Sequence, residues 1–261
     1  MKQRIDFYIW KILKKKNSNL ENIIIGRNPV LEALKSNEII DTLYISSNGG
    51  VISHIIALAK EKDITVKNVS DKKLSSMCEN KSHQGVIATI GSAEYVSVED
   101  ILNVSKEKGT KPFIVICDEV EDPHNLGAII RTCETAGVDG IIIPKRRSAT
   151  LNATVRKTSA GAVSYVPVAR VGNLASTIDF LKDNNVWIYG TDASGSNYTD
   201  TDLTGGIALI IGSEGFGMGK LIKNKCDFLL SLPMCGRLNS LNASVAGGIF
   251  IYEALRQRLN K

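Results

Sequence analysis

The chain has 261 residues, 43% hydrophobic and 23% charged, a composition that builds buried cores and excludes a disordered or low-complexity polymer. No apolar run reaches the ~18 residues of a membrane-spanning helix. Five cysteines without a CxxC pair predict reduced thiols in the cytoplasm rather than disulfides or a metal site, and a net charge of +5 suits a polyanionic partner.

Residues 1–20 carry a short apolar patch between lysines, interrupted by Asp6 and Lys11 and followed by no small-residue cleavage site. This reads as a basic N-terminal arm rather than a signal peptide. Residues 21–91 then form a first unit. In GRNPVLEAL (26–34), Asn28 is the expected N-cap, Pro29 suits the first helical position, and Val30, Leu31 and Leu34 make an apolar stripe. A strand (42–46), a helix (51–63), a short strand (64–69), a polar helix and a strand (85–90) complete a small α/β domain. Residues 92–111 read as a linker, with Ser97 and Asp100 as a capping box opening a short helix.

The second unit, 112–261, begins with PFIVICD (112–118), the continuous apolar run of a buried parallel strand. Helix signals follow at Asn125–Gly137, a strand at 140–144, helix signals at Ala153–Ser159, a strand at 164–168, and a helix at 173–184. Strands at 186–190, 207–212 and 227–232 lead to a C-terminal helix from Ser244. The alternation predicts an α/β domain, a mostly parallel sheet covered on both faces, with ligands beyond the carboxyl ends of its strands.

Three loops at such ends hold the candidate chemistry. In CDEVEDPHNLGAIIRTCETAG (117–137), Asn125 is the expected helix cap and Arg131 lies nearly two turns in. His124 has no second histidine at metal spacing. IIGSEGFGMGKL (210–221) fails the phosphate-loop pattern, because Gly215 and Gly219 are three residues apart and Leu221 follows Lys220. Its glycines are expected to let the backbone approach a flat ligand, with Glu214 as a fixed carboxylate. In LPMCGRLNSLNASVA (232–246), Ser240 and Asn242 project to one side of an extended segment, and Ser244 is the expected cap of the last helix.

Taken together, NLGAIIRTCETAG (125–137), IIGSEGFGM (210–218) and LPMCGRLNSLNASVA, in this order and spacing, resemble the TrmH family of SPOUT-class RNA methyltransferases. GRNPVLEAL and HQGVIA (83–88) are similar to its RlmB-like subgroup, which methylates a guanosine ribose in 23S ribosomal RNA. The resemblance runs from Asn22 to the C-terminus. It implies S-adenosylmethionine as cofactor, a trefoil-knotted C-terminal domain, a homodimer, no metal, and a ribosomal-protein-like RNA-binding domain at the N-terminus.

Carried over by motif, Asn125, Arg131, Glu214, Ser240 and Asn242 are the catalytic candidates, with Glu214 expected to fix Arg131 or a loop. Thr191, Gly212, Leu232, Met234, Gly236 and Leu241 are the cofactor-binding candidates. Arg27, Lys145, Arg146, Arg147, Arg156 and Lys157 are candidates for RNA phosphate contact. Arg237 departs from the family pattern. The rival readings are 2′-O-methylation of transfer RNA or another ribosomal site, a non-enzymatic RNA-binding or assembly protein, and, third, a nucleotide hydrolase.

Overall fold

The isoleucine triplet Ile23–Ile25 forms β1, a strand whose three residues are too few to show a period in sequence. A computed structural model describes residues 23–35, 38–47, 49–91 and 93–260; the N-terminal arm read at 1–20 lies outside them. The chain divides into two compact units between residues 92 and 93.

In the first unit β1 is followed by α1 (Arg27–Lys35), β2 (Ile40–Ile45), α2 (Val51–Glu61), β3 (Thr65–Asn68), α3 (Asp71–Met77) and β4 (Val86–Ile90). The sheet order is β1-β4-β2-β3, with β4 antiparallel to both neighbours and β2 parallel to β3. Asn28 does not cap α1. Gly26, at φ 95°, turns the chain and its carbonyl accepts the Val30 N–H at 3.2 Å, so the helix starts two residues earlier. The stripe behaves as read, with Val30 and Leu34 buried against Leu43, Ile45, Ile52 and Ile55.

The two N-terminal motifs meet here. Arg27 donates its backbone N–H to Gln84 Oε1 (3.1 Å) and its Nε to the Gln84 carbonyl (3.0 Å). His83 Nδ1 accepts the Gly85 N–H at 3.1 Å, and Gly85 sits at φ 82° where a Cβ would meet Ser47 Oγ at 2.4 Å. HQG is therefore a turn demanded by backbone geometry, and it holds Arg27 at the head of α1.

The second unit contains α4 (Val98–Lys108), β5 (Phe113–Cys117), α5 (Pro123–Thr135), β6 (Gly140–Pro144), α6 (Ala153–Thr158), β7 (Val168–Val171), α7 (Leu174–Asp183), β8 (Trp187–Asn197), β9 (Ile207–Ile211), α8 (Lys220–Lys225), β10 (Phe228–Ser231) and α9 (Ala243–Leu259). The Ser97–Asp100 capping box opens α4, which packs Ile101 and Leu102 into a core of this unit. The sheet order is β10-β8-β9-β5-β6-β7, every adjacent pair parallel.

Alternation along β5 explains its unbroken apolar run. Phe113, Val115 and Cys117 enter a core with Leu126, Ile130 and Ile251, while Ile114 and Ile116 enter the opposite core with Ile101, Ile178 and Leu181. Both faces are covered, as the sequence predicts.

Three boundaries differ from the sequence reading. α5 begins at Pro123 with Asp122 as N-cap, its Oδ1 accepting the His124 N–H at 2.9 Å, so Asn125 lies inside the first turn. Residues 162–164 form a single 3-10 turn, which moves the strand read at 164–168 to β7. β8 continues through the polar stretch to Asn197, and its register against β10 jumps from Gly190↔Leu229 to Ser196↔Leu230. Residues 191–195 bulge out of the ladder, and Gly195 lets the strands meet again: a Cβ there would lie 2.4 Å from the Leu229 carbonyl carbon.

Candidate active site

Cys117, the last residue of β5, pairs with Ile211, the last of β9. Beyond them the Asp118 N–H donates to the Ile211 carbonyl at 2.8 Å, and Asp118 Oδ2 accepts the Gly219 N–H at 2.9 Å. The loops leaving both strands are thereby fastened at the crevice where a doubly wound sheet binds ligands. Asp118 is 5% exposed, and burial pushes its carboxyl above the usual aspartate range against the opposing effect of the Gly219 hydrogen bond. Burial, with the Asp118 charge second, raises the Cys117 thiol to about 12, which leaves it unreactive.

The loop after β9 is a closed turn. Ser213 and Gly217 exchange backbone hydrogen bonds at 3.0 Å each, and Gly215 and Gly217 take φ 86° and 67°. A Cβ on Gly212 would lie 2.4 Å from the Gly217 carbonyl carbon. These glycines serve the turn's own folding.

Glu214 projects from this turn into a node of three side chains. Asn125 donates Nδ2 to Glu214 Oε1 at 2.9 Å, and Asn242 donates Nδ2 to Asn125 Oδ1 at 2.9 Å and also to Glu214 Oε1. Asn242 is itself the N-cap of α9, its Oδ1 accepting from the N–H groups of Ser244 (3.0 Å) and Val245 (3.2 Å). Two corrections follow. Asn242, not Ser244, caps the last helix, and Asn125 is a node member rather than a cap. Of the two roles expected of Glu214, it takes the second and fixes the loops; among the described residues no hydrogen bond or ion pair joins it to Arg131.

Two cavities flank the node. One, of about 350 Å³, is lined by the bulge (Thr191, Asp192, Ala193), the β9 turn (Gly212 to Gly217), and Leu232, Met234, Asn239, Ser240 and Leu241. Thr191 is fixed by donating Oγ1 to the Ile210 carbonyl at 2.9 Å. The second, of about 630 Å³, is lined by Glu119, Glu121, Asp122, Asn125 and Arg147. Ser213, Glu214, Phe216 and Ala243 belong to both.

Of the cofactor candidates, Thr191, Gly212, Leu232, Met234 and Leu241 therefore meet around one cavity; Gly236 lies on the same loop outside its lining. Ser240 lines the first cavity, while Asn242 belongs to the node. Arg131 is exposed on α5 and lines neither cavity. Arg147 lines the second cavity and pairs with Glu119 at 2.9 Å; Arg146, Arg156 and Lys157 are exposed nearby in sequence, and Arg27 stands in the first unit.

Asp192, absent from the sequence reading, faces the first cavity. Desolvation opposes its charge, yet hydrogen bonds from Ser194 and Lys223 and the Lys223 ammonium at 2.9 Å bring its carboxyl down to about 2. Only the polar string TDASGS hinted at it. From Met234 to Leu241, among the described residues, no backbone hydrogen bond joins the loop to the rest of the chain, so its N–H and C=O groups are available to a ligand.

Known proteins resemble this chain along both of its units. Residues 112–252 match the model described as SpoU rRNA Methylase family, and residues 23–96 match RNA 2′-O ribose methyltransferase substrate binding. YacO of Bacillus subtilis (strain 168), which carries the name of a TrmH-family tRNA/rRNA methyltransferase, is 46% identical over 92% of this chain and 98% of its own. The SpoU methyltransferase AviRb from Streptomyces viridochromogenes, solved with AdoMet, superposes with a TM-score of 0.58 at 23% identity over 91% of this chain and 90% of that one. The A. aeolicus TrmH/SpoU tRNA modifying enzyme is 32% identical, with a TM-score of 0.54, over 58% of this chain and 77% of that one. Three loops fastened at the strand ends by Asn125, Glu214 and Asn242, together with matches spanning both units, establish that the chain belongs to the SpoU rRNA methylase family, the TrmH-type RNA methyltransferases.

Proposed function

We propose that this protein transfers the methyl group of S-adenosylmethionine to the 2′-hydroxyl of a guanosine in 23S ribosomal RNA, acting in the cytoplasm as a homodimer with a trefoil-knotted catalytic domain. One observation carries the reading: the Asn125–Glu214–Asn242 node stands between two cavities, one suited to a methyl donor and the other open to a nucleotide.

The first cavity fits S-adenosylmethionine. Leu230, Leu232, Ala246 and Phe250 give apolar walls for an adenine, the 234–241 loop offers backbone donors and acceptors for its edge, and Asp192 and Glu214 place carboxylates near a sulfonium-bearing ligand. When bound, the cofactor supplies an electrophilic methyl for in-line attack by oxygen. Holding that oxygen in line contributes up to roughly 7–11 kcal/mol in well-aligned systems. This is the node's task, since each of its members is held by the other two.

Removal of the hydroxyl proton needs assistance. A guanidinium holds its proton in water, so Arg131 is assigned to orient the ribose and adjoining phosphate and to stabilise developing oxyanion charge. Ser240, on the cavity wall, positions the same oxygen, and the proton leaves through water or phosphate. Arg131 lies outside both cavities of its own chain, on α5, where Tyr252 of α9 donates its hydroxyl to Thr135 at 3.2 Å. The exposed face of these helices, with Val245 and Tyr252, is the surface on which a second copy would bring Arg131 to a site.

Mapping ribose methylation in RNA from cells with and without the gene tests the reading. The expected result is loss of one guanosine mark in 23S ribosomal RNA. Unchanged ribosomal RNA beside a lost transfer-RNA mark overturns the substrate, and no lost mark overturns the activity. Arg131→Lys is expected to lose turnover while keeping cofactor affinity; near-normal turnover overturns the role given to Arg131.

A further inference from the structure

Phe216 is 94% exposed at the tip of a turn closed by the two Ser213–Gly217 backbone hydrogen bonds. An exposed phenylalanine is unexceptional by itself. Its position is not: Phe216 is one of four residues forming walls of both cavities, and the Ser213–Gly217 hydrogen bonds fix the backbone that carries it. An aromatic side chain carried on a closed turn therefore stands on the wall that the two cavities share.

The chemistry beyond that face is acidic. Glu119, Glu121 and Asp122 line the larger cavity against a single cation, Arg147, which Glu119 already engages at 2.9 Å. Asp122 Oδ1 is occupied by the His124 N–H, and Asn125 is consumed by the node. Glu121 is exposed, and among the described residues no hydrogen bond holds it, although its charge acts on Arg147. Such a wall repels phosphate. Among the described residues no group of three His, Cys, Asp or Glu is arranged for a metal ion. What it accepts is a group that presents hydrogen-bond donors and carries no negative charge.

Resting on the function proposed above, we propose that the larger cavity is the pocket for the target nucleobase: Phe216 stacks on the base, and Glu121 reads the paired N1–H and N2–H donors of guanine. Specific RNA recognition uses unstacked bases laid on aromatic side chains and bonded along their Watson–Crick edges. Of the four bases, guanine alone offers two adjacent donors on that edge to one carboxylate, the bidentate geometry that makes carboxylate pairing selective. Because both cavities share the Glu214 wall, a base held here leaves its own ribose facing the node. Phe216 and Glu121 then determine which nucleotide reacts without touching the methyl group.

The test uses the purified full chain, S-adenosylmethionine and RNA extracted from cells lacking the gene. The methylated nucleotide is mapped first, and kinetics then use a short transcript spanning it, carrying guanosine or inosine at the target. Phe216→Ala is expected to raise KM for RNA about tenfold or more. Its melting temperature should match the parent, because the side chain is exposed, and Phe216→Trp should restore KM. The parent should prefer guanosine to inosine, which lacks the N2 amine, and Glu121→Gln should narrow that preference.

A guanosine mark made with unchanged KM by Phe216→Ala overturns this inference while leaving the proposed function standing. So does a target base other than guanine, or a guanosine preference that Glu121→Gln leaves intact. Absence of RNA ribose methylation by the parent protein overturns both together.

Discussion

Asn125 donates its side-chain amide to Glu214 at 2.9 Å across 89 residues of sequence. Asn125 is 7% exposed and inside a helix, so this bond is how a buried amide is satisfied while the turn after β9 is held. Asn125→Asp keeps the shape and replaces the donor with a second carboxylate facing Glu214. Turnover is expected to fall at least a hundredfold at neutral pH. Thermal melting should show a destabilisation at pH 7 that shrinks near pH 5, where the two carboxylates share a proton; a pH-independent difference contradicts the pairing.

Asp118 gives a pH dependence of the opposite kind to most carboxylates. Its folded value is raised by burial, so its favourable contribution is complete below the unfolded pKa and is lost as pH rises through the folded one. Asp118→Asn retains an acceptor for the Gly219 N–H without a charge to desolvate. Its melting-temperature advantage over the parent should grow between about pH 4 and pH 8, and calorimetric scans across that range check it.

Asp192 titrates the other way. Its carboxyl is held at about 2 by Ser194 and Lys223 despite desolvation, so the stabilisation it gives is present above the unfolded aspartate value and disappears as pH falls toward about 2. Lys223→Met should lower melting slightly near neutrality, since the pair is partly exposed, and shrink the acid-range loss, with Ser194 retaining the rest. Equal acid sensitivity in the variant and the parent sinks the assignment.

Gly212 and Gly236 should behave differently although both were candidates for the cofactor site. A Cβ at Gly212 meets backbone at 2.4 Å, whereas one at Gly236 meets nothing within 4 Å. Gly212→Ala is expected to cost about 1–3 kcal/mol of stability together with activity, and Gly236→Ala to stay within about 0.5 kcal/mol. Denaturant unfolding of both variants decides this.

Much of the architecture was legible because buried parallel strands are apolar without interruption, as in Phe113–Cys117 and Ile207–Ile211. Helix ends were less so. Asp122 and Asn242 took capping positions that spacing assigns equally well to Asn125 and Ser244, because nearby polar residues compete and packing chooses, and the turn at Gly26 displaced Asn28. The 191–195 bulge had no signal, since a polar stretch after a strand reads as loop whether or not it rejoins the sheet. The motif residues were found by resemblance, but the pairing of Glu214 with two asparagine amides was not, because contacts across 89 and 28 residues leave no mark in local spacing.

The node also times the appearance of the site during synthesis. Asn242 reaches back 117 residues to Asn125, so a ribosome that has completed every strand of the sheet has still not produced the last member. A nascent chain halted before that asparagine holds Asn125 and Glu214 without their common clasp and lacks α9, one wall of the methyl-donor cavity. The site therefore waits on Asn242 and α9, which are made only after every strand of the sheet.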